Sequence, residues 1–434
     1  MNDSTLHTRR QFLRTGVLGG AVAWTLPVFL EKTFLALDAS AADSLLQSAS
    51  GKDGPILVVL QLAGGNDGLN TVIPYADDAY YAARPKIGIP LAKALRLDDR
   101  LALNSSLSGL RGLYDSGDLA IMQGVGYPNP NRSHFRSTDI WQTASDSERF
   151  EREGWIGRYF DSCCEGADPT IGVSVGRQSP MAFTAKTATG ITFSRPEQFR
   201  FISENASDPA ATEEMFRGMT GGTEENAGGS VESLPGQSGG GGDTLDYLRR
   251  TSLDAQVSSD KILAITRKSR STVSYPGSQL ASGLNLVARL IAGGMATRVY
   301  YVSQGGYDTH SGQIGSHERL LGDLDTSIAA FVADLKSQGN FDRVMLMTFS
   351  EFGRRVGENN SGGTDHGAAA PLFVVGGGVK PGLYGQQPTL TRLNKGDLIY
   401  NVDFRSVYAT ILEKWLKAPS EMVLKRKFPT LDFV

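Results

Sequence analysis

The run Pro55-Ile56-Leu57-Val58-Val59-Leu60-Gln61-Leu62-Ala63 is apolar and β-branched almost without interruption, and it ends in glycines. A strand that is apolar on both faces must be covered on both, which is the situation of a central strand in a parallel sheet. Similar runs recur at Leu119 to Val125, Arg298 to Ser303, Arg343 to Phe349 and Pro371 to Val375. Between them the period becomes helical. Leu284 to Ala292 carries apolar residues at helical spacing, and Leu320 to Leu335 places Leu321, Leu324, Ile328, Phe331 and Leu335 on one stripe. Phe404 to Leu416 predicts a further covering helix with Tyr408, Ile411 and Trp415 turned inward. Strands alternating with helices predict an α/β fold, a three-layer sandwich with a mostly parallel central sheet and helices on both faces.

Two stretches break this pattern. From Arg217 to Asp243 the chain runs through Gly221-Gly222, Gly228-Gly229 and Gly239-Gly240-Gly241-Gly242 with Ser, Glu and Thr between. Such a composition buries too little apolar surface to offset its ordering entropy, so 217–243 is expected to be a disordered surface insertion. Its glycines lack the strand before, the helix after and the Lys-Ser/Thr ending of a phosphate-cradling loop. The second stretch is the N-terminus, where Thr8-Arg9-Arg10-Gln11-Phe12-Leu13-Arg14 resembles the twin-arginine export consensus. The uncharged run from Thr15 to Leu30 that follows is about 16 residues, short of the roughly 20 that a membrane-spanning helix needs. Ala39-Ser40-Ala41 offers a small-residue cleavage site. Residues 1–41 are therefore expected to be a signal peptide, and 42–434 a single domain. The expected destination is the periplasm or beyond, with the twin-arginine translocase as partner during export and no membrane span after cleavage. A short buried N-terminal helix is the plainer alternative, and two adjacent arginines before an apolar run argue against it.

Charge changes the picture little. The 43 basic and 46 acidic residues balance without a long run of one sign, so no nucleic-acid surface is expected. The two cysteines, Cys163 and Cys164, are neighbours, which makes a disulfide an uncommon arrangement; they are expected to be packing residues.

Candidate chemistry follows the predicted strands, beyond whose carboxyl ends ligands gather in open parallel sheets. Gly64-Gly65-Asn66-Asp67-Gly68 follows the first. Asn129-Pro130-Asn131-Arg132-Ser133-His134 follows the second, and Gly305-Gly306-Tyr307-Asp308-Thr309-His310 the third. Ser350-Glu351-Phe352-Gly353-Arg354 follows the fourth, with Gly363-Thr364-Asp365-His366-Gly367 soon after. Four of the five histidines lie beyond residue 41, and His134, His310 and His366 fall in these motifs while His317 does not. Imidazole and carboxylate together are the usual ligands of zinc, manganese or iron. Each motif also has a plainer reading: Asp67 closing a turn, Asp308 capping a helix, Ser133 as an ordinary N-cap, Asp365-His366 as a solvated loop tip. Their joint occurrence at strand ends predicts one polar site.

These motifs resemble those of exported bacterial proteins in an uncharacterised family placed in the alkaline-phosphatase-like superfamily, beside sulfatases and cofactor-independent phosphoglycerate mutases. The resemblance runs from about Pro55 to the C-terminus. Its carriers are Leu62 to Asn70, Asn131 to Phe135, Gly306 to His310, and Phe349 to Arg354 with Thr364 to Gly367. It implies an alkaline-phosphatase-like fold and a catalytic nucleophile at Ser133. It further implies one metal site from Asp67 and Glu351, and a second from Asp308, His310 and His366. Asn66, Arg132, His134, Arg354 and Asp365 are then the candidates for holding substrate. The sequence departs from the superfamily pattern at Phe352, which stands where a late Asp-His pair has its histidine, and at the short Asp-x-His spacing of Asp308 and His310. The first metal site is thereby one ligand short, and one divalent ion (zinc, manganese or calcium), two, or none remain open.

The implied activity is metal-dependent hydrolysis or transfer of phosphate or sulfate esters, with a small anionic ester as substrate. The rival reading is a non-catalytic binding or assembly protein on a degenerate scaffold, since a fold does not imply a function.

Overall fold

The computed structural model describes residues 54–164, 167–186, 190–196 and 258–434, all within one compact unit formed by Leu46–Arg200 and Asp254–Val434. The expected signal peptide over 1–41 and the glycine-rich insertion over 217–243 lie outside the described residues.

The strands are β1 (Ile56–Ala63), β2 (Val72–Ile73), β3 (Ala94–Arg96), β4 (Ala102–Asn104), β5 (Leu119–Gly126) and β6 (Gly172–Val175). They continue as β7 (Ile191–Phe193), β8 (Val299–Gly305), β9 (Val344–Phe349), β10 (Ala370–Gly376), β11 (Gly382–Tyr384) and β12 (Val402–Asp403). The helices that matter here are α1 (Asp78–Ala83), α2 (Ser108–Asp115), α3 (His134–Thr143), α4 (Trp155–Cys163), α5 (Gln279–Ala292), α6 (Gln313–Ser337), α7 (Phe404–Thr410) and α8 (Ser420–Leu424).

The large sheet runs β11-β5-β10-β9-β1-β8-β6-β7, with β12 also on β5. Five neighbours, β9-β1-β8-β6-β7, are parallel, and within this sheet β10 alone runs against its partners. β1 lies inside the parallel block, with Leu57 opposite both Val299 of β8 and Met345 of β9. Its apolar run is explained by what covers it. Leu57 and Val59 join the cluster under α3, α4, α7 and α8, with Trp141, Trp155, Phe160 and Tyr408. Ile56, Val58, Leu60 and Leu62 join the cluster under α2, α5 and α6. Each such side chain, taken from water on either face, stabilises the fold by about 1.5–3 kcal/mol.

The expected three-layer α/β sandwich is the observed one. All five apolar runs are strands, and the stripe of Leu321, Leu324, Ile328, Phe331 and Leu335 is buried along α6. The helix expected over 284–292 begins earlier, at Gln279, because the Ser278 hydroxyl accepts from the Ala281 amide and caps it. The helix expected over 404–416 is α7 continued by a π turn at Ile411–Trp415, and Trp415 Nε1 donates to the Ile56 carbonyl at 3.0 Å. A small sheet, β2-β4-β3, with α1 beside it, covers Leu69, Ile73 and Tyr80. Among the described residues no helix is long and apolar enough to cross a membrane.

Cys163 and Cys164 correct the sequence reading, since they are joined by a disulfide. Cys163 ends α4, and Cys164 leaves helical geometry at φ −139°, ψ 35°. A bond between neighbours ties no distant parts of the chain together.

Candidate metal centre at the carboxyl edge of the sheet

Three loops must approach closely for strand ends from distant parts of the chain to share a site, and glycine permits it. Gly64 and Gly65, straight after β1, adopt φ of 121° and 83°. A Cβ on Gly64 would fall on the backbone nitrogen of Asp308, and one on Gly65 on the ring of Phe352. A Cβ on Gly363 would meet the backbone carbonyl of His310. Arg354 then ties the loops together from inside. Its buried guanidinium donates to the carbonyls of Gly65 (2.7 Å), Thr364 (2.9 Å), Tyr307 (2.9 Å) and Gly64, and to Asp308 Oδ1 (2.8 Å).

Above Arg354 three imidazoles meet one carboxylate. His366 Nε2 lies 3.0 Å from Asp308 Oδ1 and 3.0 Å from His310 Nε2. His310 Nε2 lies 3.1 Å from Asp308 Oδ1, and His134 Nε2 lies 3.4 Å from Asp308 Oδ2. The outer nitrogens are each fixed by an acceptor. His134 Nδ1 meets Glu351 Oε1 at 2.8 Å, His310 Nδ1 meets Asp365 Oδ1 at 3.2 Å, and His366 Nδ1 meets the Arg132 carbonyl at 2.8 Å. A carbonyl only accepts, so His366 Nδ1 carries a proton, and carboxylates favour the same tautomer in the other two. In its uncharged form each imidazole so held turns an Nε2 lone pair toward the Asp308 oxygens.

That arrangement is repulsive unless positive charge stands there. Atoms about 2.0–2.2 Å from a common tetrahedral ion are roughly 3.3–3.5 Å apart, close to the spacings observed. His134, Asp308 and His366 meet the separation expected of ligands to one ion, and His310 lies against two of them. Phe352, buried where the resemblance implied a histidine ligand, packs its ring 4.5 Å from that of His366 and 4.9 Å from that of His134. It forms an apolar floor.

Burial alone would raise the Asp308 carboxyl, but the hydrogen bond and the charge of Arg354 outweigh it and hold it below the usual carboxylate range. The group is therefore an anion at neutral pH. His317 is the contrasting histidine: fully buried and bonded through Nε2 to Asn66 Oδ1 at 2.9 Å, it is lowered by desolvation to about 4 and stays neutral.

Several residues take places other than those expected. Asp67, expected as a metal ligand, is 1 % exposed and satisfied by donors: Leu69 N at 3.2 Å, Arg84 Nη1 at 2.6 Å, and Gln313 Nε2. Desolvation would raise its carboxyl, yet Arg84 beside it holds it below the usual range. Asn66, expected to touch substrate, is buried, with its oxygen taken by His317 and Thr71. Glu351, expected as a ligand, instead accepts from His134 and from the Gly64 amide, and its Oε2 is buried without a hydrogen-bond partner. Arg354 is buried and turns Nε, Nη1 and Nη2 to the loop carbonyls and Asp308, and Asp365 holds His310. Arg132 is paired with Asp397 through Nε at 2.9 Å and through Nη2, and serves the centre with its carbonyl. His134, read from sequence as substrate-facing, stands instead with Asp308 and His366 at separations that suit one ion. Ser133, exposed, lies between Arg132 and His134 at the start of α3, and its hydroxyl does not cap the helix. Arg84 and Gln313 carried no sequence signal, because their role depends on how α1 and α6 dock.

Residues 244–425 match the model of a family described as "Protein of unknown function (DUF1501)", a span that includes Asp308, His310, Glu351, Arg354 and His366. No curated protein matches the chain. Among solved structures, a PsFucS1 sulfatase from Pseudoalteromonas sp. is similar at 10% identity and a TM-score of 0.35, over 90% of this chain and 72% of that one. A protein in the alkaline phosphatase superfamily from Vibrio parahaemolyticus is similar at 8% identity and a TM-score of 0.36, over 86% and 69%. The phosphonate monoester hydrolase of Agrobacterium radiobacter is similar at 12% identity and a TM-score of 0.34, over 86% and 78%.

Proposed function

We propose that the protein is an exported, metal-dependent hydrolase or transferase acting on phosphate or sulfate esters, with one divalent ion rather than two. The observation that supports this reading is the convergence of ligand atoms from His134, Asp308 and His366, with His310 against two of them and each imidazole anchored at its other nitrogen. Such an imidazole-rich set suits zinc or manganese better than calcium, which prefers oxygen ligands. When bound, the ion supplies Lewis-acid polarisation of a phosphoryl or sulfuryl oxygen. The chain's own residues do the rest. Glu351 and Asp365 hold two tautomers, Arg354 keeps Asp308 ionised, and Phe352 closes the floor against water. The exposed Ser133 hydroxyl, one residue from His134, is the nucleophile of this reading.

The twin-arginine motif at Arg9-Arg10 supports export, and Arg9→Lys with Arg10→Lys is expected to leave the protein in the cytoplasm. The central test is elemental analysis of protein purified without chelator, alongside hydrolysis of p-nitrophenyl phosphate and p-nitrophenyl sulfate. About one equivalent of zinc or manganese per chain is expected, lost in His366→Ala, with hydrolysis lost in Ser133→Ala. Hydrolysis that survives both substitutions would remove the assignment. The buried Phe352 at an expected ligand position favours a second reading, a binding or assembly protein, and metal-loaded protein that turns over neither ester would select it.

A further inference from the structure

The same edge of the sheet carries a second concavity one strand away, of about 540 Å³, among the ends of β6 and β7, the strand β8 and the first turn of α5. Its walls include Arg177, Arg195, Ser194, Ser278, Ser282 and Ser303, and no carboxylate. The two arginines occupy equivalent places. Val175 of β6 pairs in register with Phe193 of β7, and each arginine stands two residues beyond its member of that pair. Adjacent parallel strands are about 4.8 Å apart, so two like charges leave the sheet side by side. Neither is ion-paired among the described residues. Cations placed together and lined by hydroxyls, with no acid beside them among the described residues, form a receptor for an oxyanion, which a guanidinium meets with paired hydrogen bonds.

We propose that this cavity binds a sulfate or phosphate group of the protein's ligand, as an anion subsite distinct from the imidazole centre. β8 serves both places: Ser303 lines the cavity and Asp308 lies in the centre, five residues and therefore at most about 17 Å of chain apart. Resting on the function proposed above, the substrate class narrows to esters with a second oxyanion, one group reacting at the imidazoles while the other is held by Arg177 and Arg195.

Isothermal titration of inorganic sulfate into the full chain tests the cavity apart from any turnover. Arg177→Ala with Arg195→Ala is expected to weaken binding at least about 10-fold, and the paired lysine substitutions less. Because both side chains are exposed, an unchanged circular dichroism melt is expected to accompany the loss. His310→Ala with His366→Ala is expected to leave sulfate binding in place. Sulfate affinity unchanged by the arginine pair, or abolished by the histidine pair alone, overturns the proposal. If sulfate binding depends on the arginines while no ester is hydrolysed, the cavity stands and the catalytic reading falls. If esters are hydrolysed, the arginine pair is expected to raise KM for a doubly anionic ester and leave a singly anionic one unaffected.

Discussion

Asp67 and Asp308 begin alike and end differently. Each follows a strand of the parallel block, β1 and β8, whose ends pair at Ala63 and Gly305. Each is bonded to an arginine whose side chain is fully buried, Arg84 at 2.6 Å and Arg354 at 2.8 Å. Yet the side chain of Asp67 is 1 % exposed and that of Asp308 is 47 % exposed. What surrounds them differs more. Asp67 meets donors on every side, so its charge is fully answered within the protein. Asp308 meets one arginine and the inner nitrogens of three imidazoles, so part of its charge is left for something else. A carboxylate closed in by donors is framework, and one that faces other acceptors is a ligand in waiting.

The same small change at each position breaks or sharpens that contrast most directly. Asp67→Asn removes the charge opposite Arg84 and sets an amide against donors in a buried place, so a loss of about 3–5 kcal/mol in urea unfolding is expected. Asp308→Asn keeps an oxygen for Arg354 at a half-exposed site and is expected to cost less than about 1 kcal/mol. Equal losses in the two variants would erase the distinction.

Part of this contrast was legible in the sequence and part was not. The strand ends and the residues they deliver follow from apolar runs closed by glycines, signals local to a few residues. The fold class follows from the same runs, because β1 can be apolar on both faces only between two helical layers. Donor and acceptor balance is not local. Asp67 and Asp308 sit in similar glycine-bounded loops, and only the docking of α1 and α6 places Arg84 and Gln313 on one of them. His134 and Glu351 took places other than those expected for the same reason. Both stand where chemistry was expected, but which of them faces the centre depends on the packing of α3 against the loop after β9.

His317 extends the contrast to imidazoles. It belongs with Asp67, bonded to Asn66 in the buried frame and lowered to about 4 by desolvation. Unfolded, it would bind a proton near 6.5, so between about pH 6.5 and 4 the unfolded state holds the extra proton and stability falls as the pH is lowered. The loss approaches about 3 kcal/mol and levels off below pH 4. His317→Gln, whose amide can still donate to Asn66, is expected to flatten the pH dependence of urea unfolding over that window. An unaltered slope would mean that the acid sensitivity resides elsewhere.

At the open site the effect is expected in affinity rather than in folding. Asp308→Asn replaces an anionic ligand atom by a neutral one. Zinc affinity, measured by competition with a chromophoric chelator, is expected to fall at least about 100-fold, while Asp67→Asn leaves it within about 3-fold wherever that variant remains folded. Comparable losses in both would place Asp67 among the ligands after all.

Glu351 tests whether the division between frame and centre is sharp, since it is buried like Asp67 but bonded to a member of the cluster. Its Oε1 accepts from the Gly64 amide and from His134 Nδ1, each at 2.8 Å, while Oε2 has no hydrogen-bond partner. In Glu351→Gln the amide oxygen can keep both bonds, and the orphaned oxygen becomes an equally orphaned NH2, so stability is expected to move by less than about 1 kcal/mol. What changes is the charge behind His134. A neutral acceptor leaves the imidazole less basic and its tautomer less firmly set, and outer partners of this kind are worth about 10- to 100-fold in metal affinity. The lower end, about 10-fold, is expected because the glutamine oxygen still accepts from His134 Nδ1. Ion affinity that drops while the urea midpoint stays put would assign Glu351 to the centre through His134. The opposite result, a folding defect with undiminished metal uptake, would return it to the frame with Asp67.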